Sequence, residues 1–422
     1  MFFRKPNMKM LVLAVLIIIA ALPAWSNLNF IKDNTLFQSS QPAENTSHEE
    51  WSKIISSHKN WNEQLDYDDS KYRIEYTFDS GLEDFIQKQL RLYHPDYTSI
   101  VVMDNETGEI LAAVDYERVS KKFGRDLTFS TTHPSASIIK VITAADLLEN
   151  THIKPETEFH YTGKSTTLYR YQLKEPEQRR RWTRKIDFKK AFATSNNVIF
   201  GRTAVDNLTP LGLQKMAERF GFNRDIITGI DLANSHFGLA DSTYHLAELG
   251  SGLNRETVMS PVHGALIASI VANEGKIVWP QLIRSLEDSE GKKIYPPLKA
   301  EEQTITKPTA NELTRLFQAT VTSGTARSAF RRSKKLLKDI EVGGKTGSIT
   351  GGVPFGKRDW FVSYAKKRDS QDKGISICVM IVNQKKWYVK SPFLAKNIIE
   401  YYYSRMYPNK VKEPSNGKSN DQ

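Results

Sequence analysis

The sequence predicts an α+β fold: one mainly antiparallel sheet flanked by helices, with a helical subdomain projecting from it. Three observations lead there. Strand-like segments cluster at both ends of the region 72–408, helix-like segments fill about 137–330 between them, and an amphipathic stretch, Pro392–Met406, closes the region. A sheet completed by both chain ends is the economical way to join such segments, and it makes the seam between sheet and helices the default place for chemistry.

The elements follow in order. Arg4, Lys5 and Lys9 precede an uninterrupted apolar run, Met10–Trp25. At about 1.5 Å per residue this run spans roughly 24 Å, short of the ~30 Å hydrocarbon core, and suits a transmembrane anchor or a signal segment. Ala24-Trp25-Ser26 offers small residues for cleavage. In either case residues 1–9 form a cytoplasmic basic flank and the rest is exported. The expectation is a single-pass protein of the cell inner membrane, its N-terminus inside and its main domain in the periplasm or outside the cell.

Residues 26–71 read as a polar tether with one short helix near Trp51–Trp61, and folded signals begin near Tyr72. Gly81–Tyr93 places Leu82, Phe85, Ile86 and Leu90 on one helical stripe. A hairpin follows, with strands Ser99–Met103 and Glu109–Tyr116 around the turn Asp104–Gly108. Helices are expected at Ser137–Glu149, Pro210–Phe220, Pro261–Asn273 and Asn311–Ser323, and strands at Glu341–Ser348, Asp359–Ala365 and Ile375–Asn383. The segment 409–422 reads as a flexible tail.

Composition sets the outer bounds. The 422 residues are 39% hydrophobic and 25% charged, enough to bury a core. A single cysteine, Cys378, excludes an intramolecular disulfide framework and a Cys-based zinc site, and no cofactor or metal is expected. The net charge of +11 would suit nucleic acid or another polyanion, but export sets nucleic acid aside. The excess is local: residues 160–190 carry ten Lys/Arg against three acids, and 327–340 carry six against one. Both stretches precede a candidate motif, and they are expected either to be solvated loops or to hold anionic polymer or membrane surface beside the site.

Three motifs carry chemistry. Ser137-Ile138-Ile139-Lys140 opens an apolar helix, where i and i+3 share a face, so a neutral Lys140 could take the proton of the Ser137 hydroxyl. The pattern alone is weak, because Ser-x-x-Lys also starts at Ser56, Ser289, Ser363, Ser370 and Ser415. Ser195-Asn196-Asn197 offers a hydroxyl for proton relay and an amide for a substrate carbonyl; it would equally serve as a helix N-cap. Lys345-Thr346-Gly347-Ser348 supplies a cation and two hydroxyls able to bind a carboxylate, with Gly347 permitting close approach to the strand.

In this order the three motifs resemble those of the penicillin-binding protein transpeptidases, in the serine acyltransferase superfamily shared with the serine β-lactamases. The resemblance covers roughly Tyr72–Tyr407 and extends to Asp104–Ala112, Gly324-Thr325-Ala326 and Trp360-Phe361-Val362. It implies a D,D-transpeptidase that cross-links peptidoglycan stem peptides through a Ser137 acyl-enzyme. Lys140 would be the general base, Ser195 would relay the proton to the leaving D-alanine, and Asn197 would hold the acyl side. Lys345 would support the proton network, Thr346 and Ser348 would bind the terminal carboxylate, and the backbone N–H groups of Ser137 and Ser348 would form the oxyanion hole. β-Lactams would be inhibitors, the cell membrane and a membrane glycosyltransferase partners. Ile138 and Ile139 depart from relatives that often carry threonine after the nucleophile. The short segment 26–71 leaves no room for a glycosyltransferase or pedestal module, so a small monofunctional member is expected. A D,D-carboxypeptidase is the alternative; a β-lactamase or a non-catalytic β-lactam-binding scaffold stands further off.

Overall fold

The computed structural model describes residues 51, 53–55, 61–177, 181–227, 230 and 232–406. The apolar run Met10–Trp25, its basic flank and the tail 409–422 lie outside these residues. Among the described residues no helix is long and apolar enough to cross a membrane.

The main sheet is antiparallel throughout and draws on both ends of the region. Its first three strands are β3 (Tyr97–Asp104), β4 (Ile110–Glu117) and β5 (Lys122–Gly124); its last three are β7 (Ile340–Gly351), β8 (Gly356–Lys367) and β9 (Ile375–Asn383). The spatial order is β7-β8-β9-β3-β4-β5, with Cys378 of β9 opposite Val101 of β3. Every residue of β9 is buried, because both faces of the sheet are covered. The side-chain period of two then splits the strand cleanly. Ile375, Ile377, Val379 and Ile381 share a core with Leu82, Ile86 and Leu90 of α1 (Ser80–Tyr93) and with Leu394, Ile398 and Ile399 of α7 (Ser391–Met406). Cys378, Met380 and Val382 face the other way, into the core shared with α5 (Pro261–Ala272). No residue of α5 is exposed, so this helix is the centre of the molecule and has no polar face to place. The α+β architecture, the hairpin and the closing helix all lie where the sequence puts them, with ends shifted by a few residues.

The N-terminal boundary is a correction. Residues read as tether form a hairpin, β1 (Gln64–Tyr67) and β2 (Ser70–Tyr76), which pairs with β6 (Ile283–Asp288) from within the helical insert. The acidic stretch Asp66-Tyr67-Asp68-Asp69 carries its turn. Asp68 and Asp69 adopt φ of 48° and 60°, the left-handed pair that a two-residue hairpin requires and that aspartate tolerates. Leu65 and Ile74 point inward while their neighbours stay wet, and Trp51, Ile54 and Ile55 join the same core. Folded structure therefore begins at least twenty residues before Tyr72.

Between β5 and β7 lie α2 (Lys140–Asn150), α3 (Asn197–Asn207), α4 (Thr243–Ser251), α5 and α6 (Lys307–Thr322). The close packing of α4 on the turn before α2 depends on one glycine. Gly252 caps α4 in the left-handed region at φ 69°, and a Cβ there would lie 2.1 Å from the Ala136 carbonyl oxygen. Ala136 itself takes φ 50°. Gly252 takes its conformation freely, whereas Ala136 is held in one that alanine rarely adopts.

Two outcomes follow for stability. Leu65→Ala is expected to cost about 2–5 kcal/mol in urea unfolding, as for a core leucine; a tether residue would cost nothing. Gly252→Ala combines a positive φ with a backbone clash and is expected to lower stability by at least about 1–3 kcal/mol, read as a drop in the thermal midpoint.

Candidate active site

Ser137 lies in a single 3₁₀ turn, Ala136–Ile139, that feeds directly into α2. The sequence places Ser137 at the start of an α-helix; the tighter winding is the difference, and it has a use. In a 3₁₀ turn residues i and i+3 eclipse, so Lys140 stands over Ser137 with Nζ 2.8 Å from Oγ.

Lys140 is fully buried. Its amine touches two further oxygens: the Asn197 side-chain Oδ1 at 2.7 Å and the carbonyl of Ser251, the last residue of α4. The orientation of the Asn197 amide is fixed from its other end, where Nδ2 donates to the Thr166 carbonyl at 2.8 Å. Burial, and secondarily the charge of Lys345, hold the Lys140 pKa well below the ordinary lysine value. A neutral amine has two N–H donors and one lone pair. Asn197 Oδ1 and the Ser251 carbonyl can only accept, so they take the two N–H groups. The lone pair is left for the Ser137 hydroxyl.

The second motif satisfies both of its sequence readings. Asn196 is the N-cap of α3, accepting from Ile199 N, while Ser195 and Asn197 on either side turn into the cleft. Ser195 sits at φ 58°, which presents its hydroxyl to Lys345. Lys345 Nζ donates to Ser195 Oγ at 3.0 Å and to the Thr346 carbonyl at 2.7 Å. Burial alone lowers the Lys345 pKa to about 7.

Thr346, Gly347 and Ser348 line the same cleft of about 490 Å³ as Ser137, Ser195 and Asn197. Lys345 belongs to the opposite face of β7, toward the helices, as the alternation requires. Gly347 has an extra duty. A Cβ there would come within 3.2–3.3 Å of Ile138 and Ala136, so its bareness lets the strand press against the turn that carries Ser137. β7 is an edge strand of the sheet, which leaves an unpaired backbone edge beside Ser137.

All eight sequence-selected residues thus converge on one place. Of the competing Ser-x-x-Lys occurrences, those among the described residues, at Ser289, Ser363 and Ser370, do not line the cleft, and Ser363 and Lys366 lie on β8, where i and i+3 point to opposite faces; Ser56 and Ser415 lie outside the described residues. The motifs do not point to several further lining residues. Thr325, whose hydroxyl lies 2.5 Å from that of Thr346, was visible only in the softer Gly324-Thr325-Ala326 match. Thr166, Lys357, Asp359, Trp387 and Lys390 also line the cleft and carry no motif. Of the basic stretches, Lys185 pairs with Glu158 and Lys190 donates to the Ser323 carbonyl, so part of that charge serves the fold; residues 179 and 180 lie outside the described residues.

With this geometry in hand, the relatives are informative. Residues 98–400 match the family model of the penicillin-binding protein transpeptidase domain. No curated protein sequence matches. Among solved structures, the D,D-transpeptidase domain of a peptidoglycan glycosyltransferase from Eggerthella lenta superposes with a TM-score of 0.63 at 21% identity, covering 80% of this chain and 84% of that one. Penicillin-binding protein 3 from Mycobacterium tuberculosis complexed with aztreonam gives 0.64 at 19% identity, with 79% of each chain covered. An imipenem acyl-enzyme complex of penicillin-binding protein A from the same organism gives 0.59 at 19%, covering 78% of this chain and 79% of that one. At such identities the superpositions speak for the fold, and the sequence model speaks for kinship. The chain belongs to the penicillin-binding protein transpeptidase domain family.

Proposed function

We propose that this protein is a D,D-transpeptidase that cross-links peptidoglycan stem peptides through an acyl-enzyme on Ser137. The observation that carries the reading is the Lys140 amine, which meets two acceptor-only oxygens and one hydroxyl, so that its lone pair is available to Ser137 alone. Ser137 Oγ attacks the carbonyl between the two terminal D-alanines as its proton passes to Lys140. The oxyanion is held by the backbone N–H groups of Ser137 and Ser348, and Thr346 with Ser348 takes the terminal carboxylate. Asn197 has a second N–H beyond the one given to Thr166, and it holds the carbonyl of the acyl side. As the C–N bond breaks, Ser195, hydrogen-bonded to Lys345, delivers the proton to the departing D-alanine amine. The amino group of a neighbouring stem then attacks the ester carbonyl and gives its proton to Ser195 and the Lys345 relay, and as the ester C–O bond breaks Ser137 takes back the proton held on Lys140.

Support for a synthetic enzyme over a β-lactamase comes from the cleft lining. Among its described residues the one carboxyl side chain is Asp359, which is buried and accepts at Oδ2 from the N–H of Ser391, 2.8 Å away at the start of α7. On this reading Met10–Trp25 tethers the domain to the outer side of the cytoplasmic membrane, β-lactams acylate Ser137, and a membrane glycosyltransferase supplies the glycan.

Fluorescent penicillin is expected to label the wild-type protein and to leave Ser137→Ala unlabelled; equal labelling would remove the nucleophile. Incubation of a D-Ala-D-Ala peptide with a D-amino-acid acceptor is expected to yield exchanged product, whereas free D-alanine and trimmed peptide alone would assign a carboxypeptidase. A pH profile tests the base. The Lys345 charge repels the Lys140 ammonium, so removing it in Lys345→Gln makes Lys140 easier to protonate and raises its pKa. The acidic limb of the penicillin acylation rate is expected to move to higher pH in that variant, in addition to any fall in the plateau; an unmoved limb would mean that Lys140 is not the titrating base.

A further inference from the structure

The far margin of the cleft carries two cations that the acyl-transfer scheme does not use. Lys357, near the start of β8, and Lys390, immediately before α7, both reach the ring of Trp387, each with Nζ 5.4 Å from its centroid. All three line the cleft with Ser137 and Ser348. Among the described residues neither ammonium has a carboxylate within ion-pairing distance, although both act from farther off on the buried carboxyl of Asp359. The loop 384–390 adds Lys385 and Lys386 and contains no acid. The nearest carboxylate in the cleft, Asp359, is buried and bonded to the first N–H of α7. A local field of one sign facing a cleft is an electrostatic site for the opposite sign.

The register says which group it would take. Ser348 lies opposite Asp359, and Lys357 lies opposite Thr350, two residues farther along the hairpin. At the strand rise this sets the backbone of Lys357 about 7 Å beyond the level of Ser348. A peptide extended along the open edge of β7 would bring a different residue to that level.

We propose that Lys357, Trp387 and Lys390 form a specificity subsite for a second carboxylate of the stem peptide, distinct from its C-terminal one. The ring supports the two lysine stems and holds their ammonium groups toward the cleft, and the carboxylate bridges them. The subsite selects peptides with a free acid upstream of the D-Ala-D-Ala unit over those in which that acid is an amide. This rests on the transpeptidase reading for the identity of the ligand, but not for its test.

Two peptides ending in D-Ala-D-Ala, identical except for one upstream side chain that ends in a carboxylate or its carboxamide, are titrated calorimetrically into full-length protein carrying Ser137→Ala, so that nothing is turned over. The carboxylate peptide is expected to bind about fivefold tighter, and the preference is expected to fade at high salt. Adding Lys357→Gln and Lys390→Gln should abolish the preference while leaving the carboxamide peptide unchanged. Equal binding of both peptides to the parent, or equal loss of both in the lysine variants, overturns the subsite. Penicillin labelling of the lysine variants with Ser137 intact is run alongside. Normal labelling with no carboxylate preference sinks only the subsite. Absence of labelling in the wild-type protein sinks the transpeptidase reading, while the binding comparison still decides the subsite.

Discussion

The organising constraint is the burial of the Lys140 amine. A lysine removed from water is costly in its charged form and is usually found at the surface. Here it is tolerated because three separate parts of the chain present oxygens to it: the 3₁₀ turn through Ser137, the first turn of α3 through Asn197, and the end of α4 through the Ser251 carbonyl. Each of these parts is held by something that would otherwise lack a reason. Gly252 permits α4 to end against Ala136, the Thr166 carbonyl fixes the Asn197 amide, and Gly347 lets β7 press on Ile138. The helical lobe is, in this sense, the scaffold for one neutral nitrogen.

A second buried lysine stands close by, and the pair divides the work through its surroundings. Lys140 meets two acceptors that are never donors, which favours a base with its lone pair free. Lys345 meets one hydroxyl and one carbonyl, and its pKa near 7 keeps both protonation states accessible. A group that can either give or receive a proton suits a place next to the hydroxyl that, on the proposed mechanism, would relay one. On the proposed mechanism the same residue type would therefore serve two roles, set by the partners around it.

The motif residues were legible in the sequence because their chemistry resides in side-chain type: a hydroxyl three residues before an amine, an amide after a hydroxyl, a cation before two hydroxyls. The sheet and closing helix were legible because β9 and α7 carry long apolar patterns. What escaped was structure without a residue signature. The Ser251 and Thr166 carbonyls are backbone atoms, which any residue could supply. The hairpin β1–β2 buries only Leu65 and Ile74 beneath polar neighbours, and its turn residues, Asp68 and Asp69, look like linker until their positive φ is known. β6 sits inside a helical stretch and acquires its partner from two hundred residues upstream. Lys357, Trp387 and Lys390 belong to no motif because they meet through the register of β8 and the approach of α7.

The same distinction explains why net charge was a poor guide at first. A +11 excess suggests a polyanion, but the count does not say which cations are already satisfied. Lys185 and Lys190 lie in the most basic stretch and are spent on Glu158 and on the Ser323 carbonyl. Lys140 is buried where neutrality is favoured and Lys345, lowered to about 7, is charged only in part, so together they add less to the field than two surface lysines. Lys357 and Lys390 lie outside both basic stretches, yet they stand beside the cleft in no ion pair among the described residues, two cations to the one buried acid, Asp359, that feels them. What a substrate meets is decided by the cations left unpaired at the opening, and a run of lysines and arginines in the sequence counts for less than two placed by a hairpin and a helix start.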